Sequence, residues 1–196
     1  MKKFDRIIAA FYAPYHGAGK TTAARGTLSD GTPRRVLSFA GPLYDIVCSI
    51  ARYTGVTKKH GIYLNDYKDK HLPELGGASI RDFLNGFGAK GREIYPDIWA
   101  EHMRGQINSY PNKEMSVVID DLRFPNEYAM LREEGAKIIR ITVPGRPIIG
   151  TETEALLEDR EFDYELVNTM DGLSKLIDSL ELMARRLWPE RMGAAT

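Results

Sequence analysis

The stretch Ile7-Ile8-Ala9-Ala10-Phe11-Tyr12-Ala13-Pro14-Tyr15-His16-Gly17-Ala18-Gly19-Lys20-Thr21-Thr22-Ala23-Ala24 decides how the rest of the chain is read. It opens as an apolar run, passes through a loop with two glycines, and reaches Lys20-Thr21 at the head of a helix-forming segment. The order is strand, loop, helix. Glycine tolerates backbone conformations that turn consecutive N–H groups inward around an anion. A helix N-terminus adds unpaired donors and the positive end of the helix dipole. The expectation is a phosphate loop in which His16, Gly17, Ala18, Gly19, Lys20, Thr21 and Thr22 bind ATP. Lys20 then reaches the β- and γ-phosphates and the Thr21 hydroxyl ligates Mg²⁺. In the pattern G-x-x-x-x-G-K-[ST] the first glycine falls on Pro14, which has no N–H to offer. The inward donors are therefore expected from His16 to Thr21. The plainer reading is an ordinary glycine-rich turn capping a helix.

The chain has 196 residues, 43% hydrophobic and 28% charged, which fits one globular domain with a substantial core. Lys plus Arg and Asp plus Glu are both 27, so no whole-chain basic field gathers a nucleic-acid polymer. Cys48 is the single cysteine, which excludes an intrachain disulfide and fits a reducing cytoplasm. Its apolar surroundings place it in the core. No signal peptide is read at the N-terminus, and no apolar stretch has the length to span a bilayer.

Going outward from the loop, residues 21–28 read as the first helix. Arg35 to Ala40 reads as the second strand, and Gly41-Pro42 starts a helix to about Tyr53. Residues 54–73 turn polar: a solvated loop, or in the sharper reading a flap near substrate. Ser79 to Phe87 has helical spacing, interrupted by Gly86, Gly88 and Gly91. Pro96 to about Tyr110 is another helix, with Ile98, Trp99, Met103 and Ile107 along one stripe. About seventy residues of helix and loop thus separate the second strand from the third, far more than a crossover needs. The excess, 41–113, is expected to be a helical substrate-binding insertion. Met115 to Asp121 is the third strand, Pro125 to Glu134 a helix closed by Gly135, and Lys137 to Val143 the fourth strand. Residues 144–162 read as a lid-like segment, with Thr153 to Asp159 as a short helix. Tyr164 to Asn168 is the fifth strand. Leu173 to Leu187 is the last helix, with Leu176, Ile177, Leu180 and Met183 facing in. A frayed tail is expected at 193–196. Alternating strands and helices imply an α/β fold, a parallel sheet with helices on both faces. Its ligands belong at the carboxyl ends of the strands.

Several residues on that rim can carry chemistry. Asp120 and Asp121 end an apolar strand. One suits the water shell of Mg²⁺ and the other the acceptor, and the sequence leaves open which does which. The plain alternative is a helix cap or turn pair. Arg123 suits bidentate phosphate binding, against a salt bridge to Glu127. Arg81 and Arg92 flank a glycine-rich bend and can clamp a second phosphate, or stand on the surface. Phe83, Tyr95 and Trp99 can stack on a base, or pack inward. Arg146 and Arg160 can close over the transferred phosphoryl group.

The phosphate loop, Ser38-Phe39-Ala40-Gly41-Pro42-Leu43, Gly91-Arg92-Glu93-Ile94-Tyr95-Pro96-Asp97-Ile98-Trp99-Ala100 and Val118-Ile119-Asp120-Asp121-Leu122-Arg123-Phe124-Pro125-Asn126-Glu127 together resemble the bacteriophage deoxynucleoside monophosphate kinases. The similarity spans about residues 7–180. It implies a P-loop kinase fold with a five-stranded sheet in the order 2-3-1-4-5. It implies transfer of a phosphoryl group from ATP to a deoxynucleoside 5′-monophosphate in the host cytoplasm, with Mg²⁺ as cofactor. Lys20 and Thr21 would contact ATP and Mg²⁺, while Arg92, Asp121 and Arg123 would serve the acceptor. Gly41 and Tyr44 stand where this family would have an acidic and a basic residue. A homodimer is compatible with this reading. Two other readings remain at this point: a P-loop kinase with a base-free acceptor such as phosphomevalonate, and a nucleotide-binding protein without catalysis.

Overall fold

The computed structural model describes residues 6–26, 34–56, 68–110, 115–146 and 156–192. Five strands form one sheet: β1 (Ile8–Tyr12), β2 (Arg34–Leu37), β3 (Ser116–Ile119), β4 (Lys137–Thr142) and β5 (Tyr164–Val167). All neighbours are parallel, in the order β2-β3-β1-β4-β5. This is the α/β layout that the alternation and the resemblance implied. β1 is central and buried at every position, as its unbroken apolar run requires. Ala10 pairs with Ile119 on one side and Ile138 on the other. Phe11, Val118, Ile139, Ile141 and Leu166 pack with Leu176, Leu180 and Met183 of the last helix, forming the core.

The helices are α1 (Lys20–Gly26), α2 (Gly41–Tyr53), α3 (Ile80–Ile94), α4 (Ile98–Ser109), α5 (Pro125–Glu133) and α6 (Leu173–Leu187). A short turn of helix, Pro189–Met192, follows. Gly135 closes α5 with φ 75°, as its position predicts.

The chain divides into two compact units, 39–99 and the remainder. The compact unit 39–99 is shorter than the expected insertion, 41–113, because residues 100–110 belong with the sheet. The reason is local. The Arg6 guanidinium donates to the carbonyls of Ile107 and Tyr110, and Arg104 pairs with Glu133 at the end of α5 and with Glu134 just after it.

Four finer expectations need correction. The glycines at 86, 88 and 91 do not interrupt a helix, because α3 runs through all of them. Its start is as expected: Ser79 and Asp82 form a reciprocal capping box. Gly88 and Gly91 serve contact. A Cβ on Gly91 would lie 2.6 Å from Trp99 Cζ2, and one on Gly88 would lie 3.3 Å from Leu43 Cδ1. Ile177 does not face in; it is 38% exposed, while Leu176, Leu180 and Met183 carry the buried face. Cys48 is half-buried rather than a core residue. Residues 156–159 form a turn instead of the end of a helix. The remainder of that expected helix, most of the polar stretch 54–73, residues 147–155 of the lid-like segment and the tail at 193–196 lie outside the described residues.

Candidate functional site

In the unit that carries the sheet, the residues that follow the strands at their carboxyl ends supply the candidate site. After β1 comes the glycine loop. Gly17 and Gly19 have φ of 70° and 92°, while Ala18 and Lys20 between and after them do not take positive φ. That alternation turns successive amides to one side. Pro14, which replaces the first glycine of the pattern, is buried at the loop's root, before both of these glycines. α1 starts at Lys20, and the Ala23 N–H donates to Gly19 O at 2.8 Å. The Lys20 ammonium lies 3.4 Å from Tyr15 O, folded over the loop.

Asp120 follows β3. Its N–H donates to Leu37 O, which ties the end of β3 to β2. Its carboxylate accepts from the Thr21 hydroxyl, joining the head of α1 to the end of β3. Burial first, and then the negative charge of Asp121, raise its pKa above the usual carboxylate range. The Thr21 hydrogen bond and the charge of Arg25 oppose that rise. Asp121 accepts from the hydroxyl of Ser38, the residue after β2.

Arg123 lies in the loop between β3 and α5. The alternative of a side-chain salt bridge to Glu127 is replaced by a backbone arrangement: Glu127, 1% exposed, accepts from the N–H groups of Arg123 and Phe124, each at 3.1 Å. Glu127 thus caps α5 and fixes the backbone that carries Arg123.

After β4, Arg146 reaches the glycine loop. Its Nη1 donates to His16 O at 2.8 Å, and its guanidinium lies 5.5 Å from the centre of the Tyr15 ring. Tyr15, 6% exposed, accepts a hydrogen bond from the Val143 N–H. Arg160 pairs with its neighbour Asp159 at 3.6 Å rather than with the loop. Of the arginines expected to close over a phosphoryl group, Arg146 is the one placed against the glycine loop.

The unit 39–99 carries the remaining expected residues. Arg81 grips Asp69 in a two-pronged contact. Arg92 is half-buried in the last turn of α3. Phe83 and Phe87 have ring centres 5.9 Å apart and line an apolar groove of about 370 Å³ with Ala78, Asp82, Gly86 and Lys90. Trp99 is 8% exposed and donates its indole N–H to Gly88 O at 3.1 Å. It takes the inward alternative of the sequence reading, packed on Gly91 rather than offering an open face.

Sequence reasoning missed Ser38, Tyr15 and Asn168, all near the carboxyl ends of strands. Their position was the available signal, since ligands of such sheets collect on that rim. Among the described residues there is no cluster of three or more His, Cys, Asp or Glu that could hold a metal ion. The paired Thr21 hydroxyl and Asp120 carboxylate instead fit Mg²⁺, a hard cation that takes one or two carboxylates, keeps waters and borrows phosphate oxygens. No helix among the described residues is long and apolar enough to cross a membrane. No known family model matches this chain, and no curated protein is significantly similar to it.

Proposed function

We propose that this chain transfers the γ-phosphoryl group of ATP, with Mg²⁺, to a deoxynucleoside 5′-monophosphate. The observation that carries the reading is the Thr21–Asp120 hydrogen bond at the foot of the glycine loop. It brings a hydroxyl from the head of a helix and a carboxylate from the end of a buried strand to one point, beside a loop with two positive-φ glycines. A glycine-rich turn that merely capped a helix would have no need of a half-buried acid paired with the first turn of that helix.

In this reading the loop amides and Lys20 hold the donor phosphates. An oxygen of the acceptor phosphate attacks the γ-phosphorus, the bond to the β,γ-bridging oxygen breaks, and ADP leaves with that electron pair. Thr21 and Asp120 would hold Mg²⁺, which when bound would offset the negative charge of the donor phosphates. Lys20 and Arg146 supply further positive charge where it accumulates. Asp121, held by Ser38, orients the acceptor with Arg123. Arg81, Phe83 and Arg92 of the 39–99 unit are assigned to the acceptor, and Trp99 supports them from within by packing.

The test is ADP release from ATP and Mg²⁺ over a panel of deoxynucleoside monophosphates. Turnover that depends on the acceptor is expected. Lys20→Ala should lower it by at least about a hundredfold, the order lost with one transition-state donor, while far-UV circular dichroism stays unchanged. Turnover with phosphomevalonate alone would move the assignment to a base-free acceptor. Nucleotide binding without any acceptor-dependent ADP would leave a non-catalytic binder.

A further inference from the structure

Asn168, the residue after β5, is 6% exposed, and both polar atoms of its side chain are hydrogen-bonded. Its Nδ2 donates to Ala18 O at 3.0 Å, inside the glycine loop and 150 positions away in the chain. Its Oδ1 accepts from the Met170 N–H at 3.1 Å, and its own N–H donates to Thr142 O at 2.8 Å. The side chain is thus fixed from the end of β4 and from its own loop, where Met170 is held at φ 61°. A Cβ added to Gly19 would lie 2.8 Å from Asn168 Nδ2, so Gly19 and Asn168 occupy complementary space.

The consequence follows from peptide geometry. The unit linking Ala18 to Gly19 is planar and trans, so its C=O and N–H point in opposite directions. Anchoring the carbonyl on Asn168 aims the Gly19 N–H away from Asn168, toward the inner side of the loop. A peptide unit next to glycine flips easily when nothing holds it, because glycine accepts both signs of φ. We propose that Asn168 is a positioning residue for the phosphate loop: by holding the Ala18 carbonyl outward, it presents the Gly19 amide to a bound polyphosphate. This rests on the phosphate-binding reading above and adds the group that preorganises the loop.

The experiment measures binding of inorganic tripolyphosphate and of ATP, each with Mg²⁺, by calorimetry to the wild type, Asn168→Asp and Asn168→Ala. The aspartate is isosteric but puts an acceptor where the carbonyl needs a donor. The expected result is a Kd at least tenfold weaker for both ligands in both variants, with the stoichiometry unchanged. A merely structural role would lower the fraction of competent protein and leave Kd alone, so reduced stoichiometry at wild-type Kd overturns the proposal. So does a loss of affinity smaller than tenfold. A variant-free arm covers the case in which neither variant folds: in ¹⁵N-labelled wild type, the Gly19 amide resonance must shift when tripolyphosphate saturates the protein. If tripolyphosphate binds and the Gly19 amide stays put, this proposal fails and the phosphate-binding reading survives. If the wild type binds neither ligand, both fall together.

Discussion

Asp120 shows how a single half-buried charge can oppose the fold that holds it. Burial and then Asp121 raise its pKa, so the folded chain binds that proton more tightly than the unfolded chain does. This group therefore favours folding below the unfolded carboxylate pKa of about 3.9, and that contribution is lost as the pH rises through the raised folded value. At neutral pH the charge is a burden unless a cation joins it. Asp120→Asn keeps an acceptor for Thr21 and removes the charge. In the ligand-free protein it should raise Tm by roughly 2–4 °C, the shift expected for about 1 kcal/mol at this chain length. The same variant should lose the Mg²⁺-dependent part of ATP stabilisation. Melting scans with ATP, with and without Mg²⁺, check both; an unchanged Mg²⁺ effect would remove Asp120 from the metal. At this scale the sequence was legible where chemistry demands a rare combination, as in Gly19-Lys20-Thr21 and in the acids ending an apolar strand. Ser38 and Asn168 were not, because a lone short polar residue after a strand also suits any turn. Their roles depend on which strands are neighbours.

Among the elements, α3 illustrates why glycine misleads. Three glycines in six positions, Gly86, Gly88 and Gly91, read as punctuation, yet the helix continues through them. At Gly88 and Gly91 the intrinsic penalty, about 1 kcal/mol for each glycine in a helix, is offset by the close approach of Leu43 and Trp99 that bare Cα atoms permit. Gly91→Ala has better helix propensity but should destabilise by about 1–3 kcal/mol through overpacking against the indole. Denaturant titration followed by Trp emission, with Trp188→Phe as background, tests this; a stabilised variant would mean the indole simply moves aside. The strands were legible for the opposite reason. Runs such as Val117-Val118-Ile119 are short, β-branched and unbroken, and that apolar character is what a strand buried on both faces requires. Across β4, β5 and α5, Asp163 acts as a tie. Burial works against its charge, but the Ile138 N–H, Lys137 and Arg132 together prevail and hold its pKa below the usual range. A lowered carboxylate contributes stability above the unfolded pKa, and that contribution is lost as the pH falls through the folded one. Asp163→Asn should therefore cost about 1–3 kcal/mol at neutral pH. Its deficit should shrink as the pH drops below about 4. Urea midpoints of wild type and variant at the two pH values read this directly, and a gap that does not narrow would assign the loss to packing.

For the whole molecule, charge is balanced while the site is not. Equal numbers of acidic and basic residues, 27 each, leave no long-range field to collect polyanions. Yet Lys20 and Arg146 both lie against the glycine loop. In the proposed function, affinity for phosphates would come from local, shape-dependent contacts: loop amides, one ammonium and one guanidinium. Such contacts reward a triphosphate that fits the loop and not a phosphate backbone that cannot enter it. At a hundred times its Kd, ATP with Mg²⁺ should stabilise the unit bearing the loop by about 2.7 kcal/mol. For a chain of this length that amounts to a Tm increase of roughly 5–10 °C. Duplex DNA at the same phosphate concentration in physiological salt should move Tm by less than about 1 °C, since screening within roughly 8 Å suppresses non-local attraction. Thermal melts with the two ligands side by side decide the matter. Equal shifts would mean that the chain recognises phosphate by field rather than by fit, and the loop would lose its claim to a discrete nucleotide.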